Sequence, residues 1–164
     1  MHYQGTIYRP PSEAHSILLQ VTTGCSHNKC SFCGMYKNQR FTIKPEAQVL
    51  ADIDVAAGQY PGARRLFLCD GDALILPQPR LLAILRRIKA RLPGISRVGI
   101  YANTRSLRTK SSAELEALHQ HGLGIVYMGL ESGDDMTLTE MQKGATADEM
   151  IATGTLARRA GLQL

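Results

Sequence analysis

Short apolar runs and longer stretches of helical periodicity take turns along this chain. Ile17-Leu18-Leu19-Gln20-Val21 predicts a first strand, which runs directly into Thr22-Thr23-Gly24-Cys25, read as a loop. Pro45 and Glu46 suit the first turn of a helix whose apolar face is Val49, Leu50, Ile53 and Ala57; Gly58 and Pro61-Gly62 end it. Arg65-Leu66-Phe67-Leu68-Cys69 predicts a second strand, followed by Asp70-Gly71-Asp72. Leu81, Leu85, Ile88 and Leu92 mark one stripe of the next helix, and Pro93-Gly94 stops it. A third strand, 98–102, ends at Asn103, and Ser111 with Glu114 forms a capping box ahead of Leu115 and Leu118. A fourth strand, 125–130, leads to Glu131-Ser132-Gly133. Thr146 with Glu149 is a second capping box, opening a helix that runs to about Ala160 with Gly161 as its cap; Leu162-Gln163-Leu164 looks like the opening of a fifth strand.

This alternation is the pattern of βαβ units, hence an α/β fold with a parallel sheet. Four strands and the stub of a fifth do not close a barrel, and an all-parallel sheet needs both faces covered. The expectation is therefore an incomplete sheet, with residues 1–16 as an N-terminal extension and residues 17–164 as a core that stops near the start of strand five. A chain of 164 residues is long enough for one domain with its own core. No apolar run approaches the roughly 20 residues of a membrane span. The N-terminus has no apolar segment of a secretory signal, so a cytoplasmic location is expected. The net charge of +5 suits an anionic cofactor or a nucleic acid. The one local cluster, Arg86, Arg87, Lys89 and Arg91, falls on an amphipathic helix and reads as a solvated face.

Three of the four cysteines lie within nine residues, in the pattern C-x4-C-x2-C: Cys25, Cys30 and Cys33. Close spacing on a loop lets thiolates converge on one metal centre. Three ligands on a four-iron cluster leave one iron open, as catalytic metal sites do. Zinc is the alternative, since Cys25, Cys30, Cys33 and His27 could complete a Cys3His set; the chain would then be a non-catalytic zinc- or cluster-binding module, with nucleic acid as its partner. Cys69, inside the second strand, reads as buried core.

The segment SILLQVTTGCSHNKCSFCGMYK resembles the cluster loop of the radical S-adenosylmethionine (SAM) enzymes. Phe32 occupies the family's aromatic position before the third cysteine, and the first cysteine gap is one residue longer than the common C-x3-C-x2-C. The resemblance implies a partial TIM-like (βα)6 barrel, truncated here after about four βα units. It implies a [4Fe-4S] cluster on Cys25, Cys30 and Cys33, SAM on the open iron, and reductive cleavage of SAM to a 5'-deoxyadenosyl radical that abstracts hydrogen from an unidentified substrate. It also implies reduced flavodoxin or ferredoxin as electron donor.

Functional residues of βα barrels collect at the C-terminal ends of the strands. By resemblance, Asp70-Gly71-Asp72 stands where the family has a Gly-Gly-Glu motif that contacts the SAM amino group, with Gly71 matching the second Gly and Asp72 replacing Glu; Asp70 replaces the first Gly. Asp-Gly is also a common turn pair. Asn103 is either a SAM ligand or a cap, and Arg105 and Arg108 are either carboxylate partners or solvated. Glu131, in a Glu-Ser-Gly sequence similar to those at this strand end in the family, is expected to approach the cofactor, with Lys143 as a second candidate. Met35 and Tyr36 either line the SAM pocket or pack.

Overall fold

The computed structural model describes residues 1–164. In chain order the elements are β1 (Ile17–Gln20), β2 (Thr22–Thr23), β3 (Thr42–Ile43), α1 (Glu46–Gln59), β4 (Arg65–Cys69), α2 (Gln78–Arg91), β5 (Arg97–Ala102), α3 (Thr104–Arg108), α4 (Ser112–Gln120), β6 (Leu123–Met128), α5 (Asp135–Glu140) and α6 (Ala147–Arg159). One parallel sheet carries the order β1-β4-β5-β6, so each βα unit adds its strand beside the previous one. The expected fifth strand is present as its first contact: Gln163 bridges Ile125 in parallel, with bonds between Val126 N and Gln163 O (2.9 Å) and between Gln163 N and Gly124 O (3.0 Å). The sheet is open, with β1 at one edge and the Gln163 contact at the other.

Alternation along the strands splits the residues between two faces. Leu66, Leu68, Val98, Ile100, Leu123 and Val126 pack under the helices with Val49, Ile53, Leu81, Leu85 and Leu115 in a single core. The apolar stripe of α1 is rotated from the expected one: Ala56 is fully buried whereas Ala57 is only partly so, and Asp52 joins the buried face. Phe67, Tyr101 and Tyr127 take the opposite face, stacked edge to face with centroids 4.9 to 6.3 Å apart. The strand predicted at 125–130 begins and ends two residues earlier. The ladder shifts register between Val98 and Gly99, so Gly124 is an extra residue that puts Leu123 and Val126 on one face. The chain leaves the sheet after Met128 because Glu131 takes a left-handed φ of 64° and Ser132 N turns back on Leu130 O (2.8 Å).

Residues 1–16 run largely exposed along the fold and are tied to it at a few points. The His2 amide and ring meet Asp52 Oδ1, both at 2.8 Å, and the buried Lys44 ammonium meets Asp52 Oδ2 at 3.1 Å. Burial raises the Asp52 pKa, but the bonds from His2 and Lys44 outweigh it and hold the carboxyl below its usual range. Tyr3 Oη donates to Leu18 O (2.8 Å), and Gln4 exchanges two bonds with the Gln20 side chain. A 3-10 turn at Pro11–Glu13 then crosses the open face of the sheet. There the fully buried Glu13 carboxylate pairs with Arg97 and accepts from Tyr127 Oη (2.7 Å) and from Ser16.

Candidate functional site

A two-strand ribbon frames the cysteine loop. Thr22 and Thr23 pair antiparallel with Ile43 and Thr42, and the hydroxyls of Thr23 and Thr42 are 2.7 Å apart, so both ends of the loop are fixed beside the end of β1. Gly24 opens the loop at φ 69° with its α-carbon pressed on the Gln39 carbonyl: an added Cβ would lie 3.0 Å from that oxygen, so glycine is required twice over. Cys33 N–H reaches Cys30 O (3.4 Å), a turn that brings the C-x2-C pair round together. The far side of the loop docks on the segment after α5. Ser31 N–H donates to Met141 O (2.9 Å), and His27 Nε2 is 2.7 Å from Gln142 O.

Cys25, Cys30 and Cys33 are free thiols, half-buried, on the wall of one cavity of about 390 Å³ at the C-terminal edge of the sheet. Phe32, Gly71, Asn103 and Glu131 line the same cavity. Residues predicted from four separate stretches of sequence are thus brought together. Tyr36, Tyr101 and Lys143 also face it. Lys143 Nζ lies 3.1 Å from Glu131 Oε1 and 6.0 Å from the centre of the Phe32 ring. Burial pushes the Cys30 thiol pKa up, and the Lys143 charge opposes that rise.

Gly71 is where the loop and the end of β4 meet. A Cβ there would sit 2.7 Å from Tyr36 Cε2 and 3.0 Å from Cys25 Cβ, so only glycine lets Cys25 come this close. Asp70, in the place of the family's first Gly, points away from the cavity into a polar pocket. It accepts from Gln20 Nε2 (2.9 Å) and Tyr36 Oη (3.1 Å), and its amide donates to Thr22 Oγ1 (3.2 Å). Burial raises the Asp70 carboxyl pKa despite these bonds and pushes the Tyr36 phenol up.

Asp72 departs from expectation. It does not line the cavity; its carboxylate is fully buried and held by Ser26 Oγ, Asn103 Nδ2 (2.9 Å) and Asn103 N (3.3 Å). Asn103 serves as both cap and cavity residue. Its Oδ1 accepts from Ser106 N (2.8 Å) to start α3, a helix the sequence reading did not anticipate. Arg105 does not line the cavity, and Arg108 pairs with Glu149 instead. Cys69 is buried, and burial pushes its thiol up, as for a core residue.

The family model described as the radical SAM superfamily matches residues 19–163. The chain belongs to the radical SAM superfamily. Among solved structures it is similar to the cobalamin-dependent S-adenosylmethionine radical enzyme OxsB with aqua-cobalamin and S-adenosylmethionine bound, at 21% identity and a TM-score of 0.73 over 91% of this chain. It is also similar to the radical S-adenosylmethionine methyltransferase TsrM from Kitasatospora setae (20% identity, TM-score 0.68, 90% of this chain) and to methylornithine synthase, PylB (16%, 0.65, 90%). These likenesses bear out the expected barrel fold. The chain spans 23%, 29% and 42% of those three chains. No curated protein matches it.

For a radical SAM chain the test is whether these residues fit an iron–sulfur cluster. As the chain stands, no three Cys, His, Asp or Glu side chains, the three thiols included, are gathered to metal-ligand spacing. Donor chemistry and access do fit: three uncommitted thiols face one cavity, and Gly71 lets Cys25 sit against the end of β4 on its wall. For the zinc alternative, His27 lines the same cavity, and its Nε2 on the Gln142 carbonyl leaves Nδ1 as the only ring nitrogen that could serve as fourth ligand.

Proposed function

We propose that this chain is the cluster-bearing part of a radical SAM enzyme, with Cys25, Cys30 and Cys33 as the ligands of a [4Fe-4S] cluster and SAM bound in the adjoining cavity. The observation that carries the reading is the placement of the three thiols on one cavity wall with Phe32, Gly71, Asn103 and Glu131, inside a superfamily match covering residues 19–163. Held by these three thiolates, such a cluster would supply the electron for reductive cleavage of SAM to methionine and the 5'-deoxyadenosyl radical.

The chain's own residues supply binding and orientation. Gly71 lines the cavity next to Cys25, a place suited to the amino end of SAM. Asn103 Oδ1, with one lone pair beyond its bond from Ser106 N, and the Glu131 carboxylate are placed to accept from ribose hydroxyls, and Lys143 keeps a positive charge beside Glu131. Phe32 and Tyr101 give the cavity an aromatic wall. Reduced flavodoxin or ferredoxin is the proposed electron source.

The test is anaerobic incubation of the cluster-loaded chain with SAM and dithionite, followed by chromatography for 5'-deoxyadenosine. The reading predicts its formation in the wild type and its loss in Cys30→Ala. Formation at the same rate in both proteins would overturn it.

A further inference from the structure

Asp72 is the one predicted cofactor contact that the fold withdraws from the cavity. Its side chain is entirely covered, yet it stands between two residues that line the cavity or border it. Ser26, the residue after Cys25, donates its hydroxyl to Asp72 Oδ2. Asn103, at the end of β5, places Nδ2 on the same oxygen (2.9 Å) and its backbone N–H on Oδ1 (3.3 Å). Asn103 Nδ2 also reaches Ser26 Oγ at 3.3 Å, which closes a triangle. The Asp72 backbone cannot drift, because the next two residues, Ala73 and Leu74, are fully buried in a 3-10 turn. Oδ2 therefore takes two bonds and Oδ1 one, and neither oxygen reaches the surface of the cavity.

We propose that Asp72 is a positioning residue that latches the cysteine loop to Asn103, and that it makes no contact of its own with SAM. The inference rests on the radical SAM reading of the cavity. A carboxylate one methylene shorter than Glu stays behind the cavity wall, where it binds the loop rather than the ligand. It fixes the distance between Cys25, through Ser26, and the Asn103 amide. Charge-assisted bonds of this kind in a buried setting are stronger than neutral ones, so one acid can hold two separate chain segments in register.

A double-mutant cycle separates a latch from a ligand. SAM affinity is measured by equilibrium binding to cluster-loaded wild type, Ser26→Ala, Asp72→Ala and the double variant, with Asp72→Glu as a fourth variant. A latch predicts that Ser26→Ala alone weakens SAM binding roughly tenfold, since it removes a bond to a charged acceptor. Asp72→Ala then weakens it by at least as much, and the double variant is no worse than Asp72→Ala. In the cluster-free chain, iodoacetamide labelling of Cys25, read by peptide mass spectrometry, rises to the same extent in all three alanine variants. Asp72→Glu, which has the wrong length for the triangle, fails to restore wild-type behaviour in either assay. Effects that multiply in the double variant, or a loss of SAM binding in Asp72→Ala with unchanged Cys25 labelling, would overturn the latch. The labelling arm needs no cluster, so it judges the latch even if the chain takes up no iron, whereas absence of iron uptake alone counts against the functional reading.

Discussion

The open face of the sheet carries polar groups at both ends, and the two ends treat them differently. At the start of the strands, Glu13 has no exposed surface and spends its carboxylate on Arg97, Tyr127 and Ser16. At the finish, three thiols, Asn103 and Glu131 are left half-open on a cavity. The first arrangement closes the half-barrel from below with the chain's own N-terminal segment. The second leaves the three thiols unspent, and unspent groups at the C-terminal ends of the strands are where chemistry is done. Within the second region the same division recurs: Asp70 and Asp72 are consumed in holding the loop, so that the cysteines beside them stay free.

Substitutions should separate these regions. The largest effect falls on the cysteines: Cys25→Ala, Cys30→Ala or Cys33→Ala should each remove most of the iron taken up on anaerobic reconstitution. Thermal unfolding of the cluster-free chain, followed by circular dichroism, should shift little, because the thiols are half-exposed. At the other end, Glu13→Ala should cost about 3 kcal/mol of stability by urea denaturation, since it leaves Arg97 beside a buried gap. Iron per folded chain should stay unchanged. Gly71→Ala tests the seam between loop and strand: crowding Tyr36 and Cys25 should cost about 1–3 kcal/mol and lower cluster occupancy as well.

Asp52 gives a pH-dependent contrast. Its folded pKa lies below the ordinary 3.8, so its contribution is fully present above that value and is lost as pH falls through the lower folded value. The stability gap between wild type and Asp52→Asn should be constant near neutrality and shrink below pH 3.8. Asp70 and Asp72 run the other way. Burial raises their pKa, so protonation favours the folded state as pH falls towards 3.8. The smallest stability change belongs to Glu131→Gln. Its pair with Lys143 is partly exposed, so the cost should be under about 1 kcal/mol, while SAM affinity falls several-fold.

The strands and long helices were legible because each carries its own period. Leu66 and Leu68 announce a strand, and Ser111 with Glu114 announces a helix start, whatever else surrounds them. The cysteine loop was legible because three metal-binding side chains at close spacing are rare. What escaped were features made by distant partners. Two-residue strands such as Thr22–Thr23 have no period to detect. Glu13 gives no sign in the sequence that Arg97 and Tyr127 await it. The bulge at Gly124, where Arg97 passes in the place of a side chain, breaks the alternation that would have announced a strand start at Leu123. Asp72 looked like a ligand by its place in a motif, and only the positions of Ser26 and Asn103 show where its oxygens go.

Anaerobic iron and sulfide analysis, combined with electron paramagnetic resonance of the dithionite-reduced chain before and after SAM is added, tests the central claim most directly. The account predicts about four irons and four sulfides per chain and a cluster spectrum that changes on adding SAM. One tightly held zinc with no paramagnetic signal, or a cluster whose spectrum ignores SAM, would contradict it.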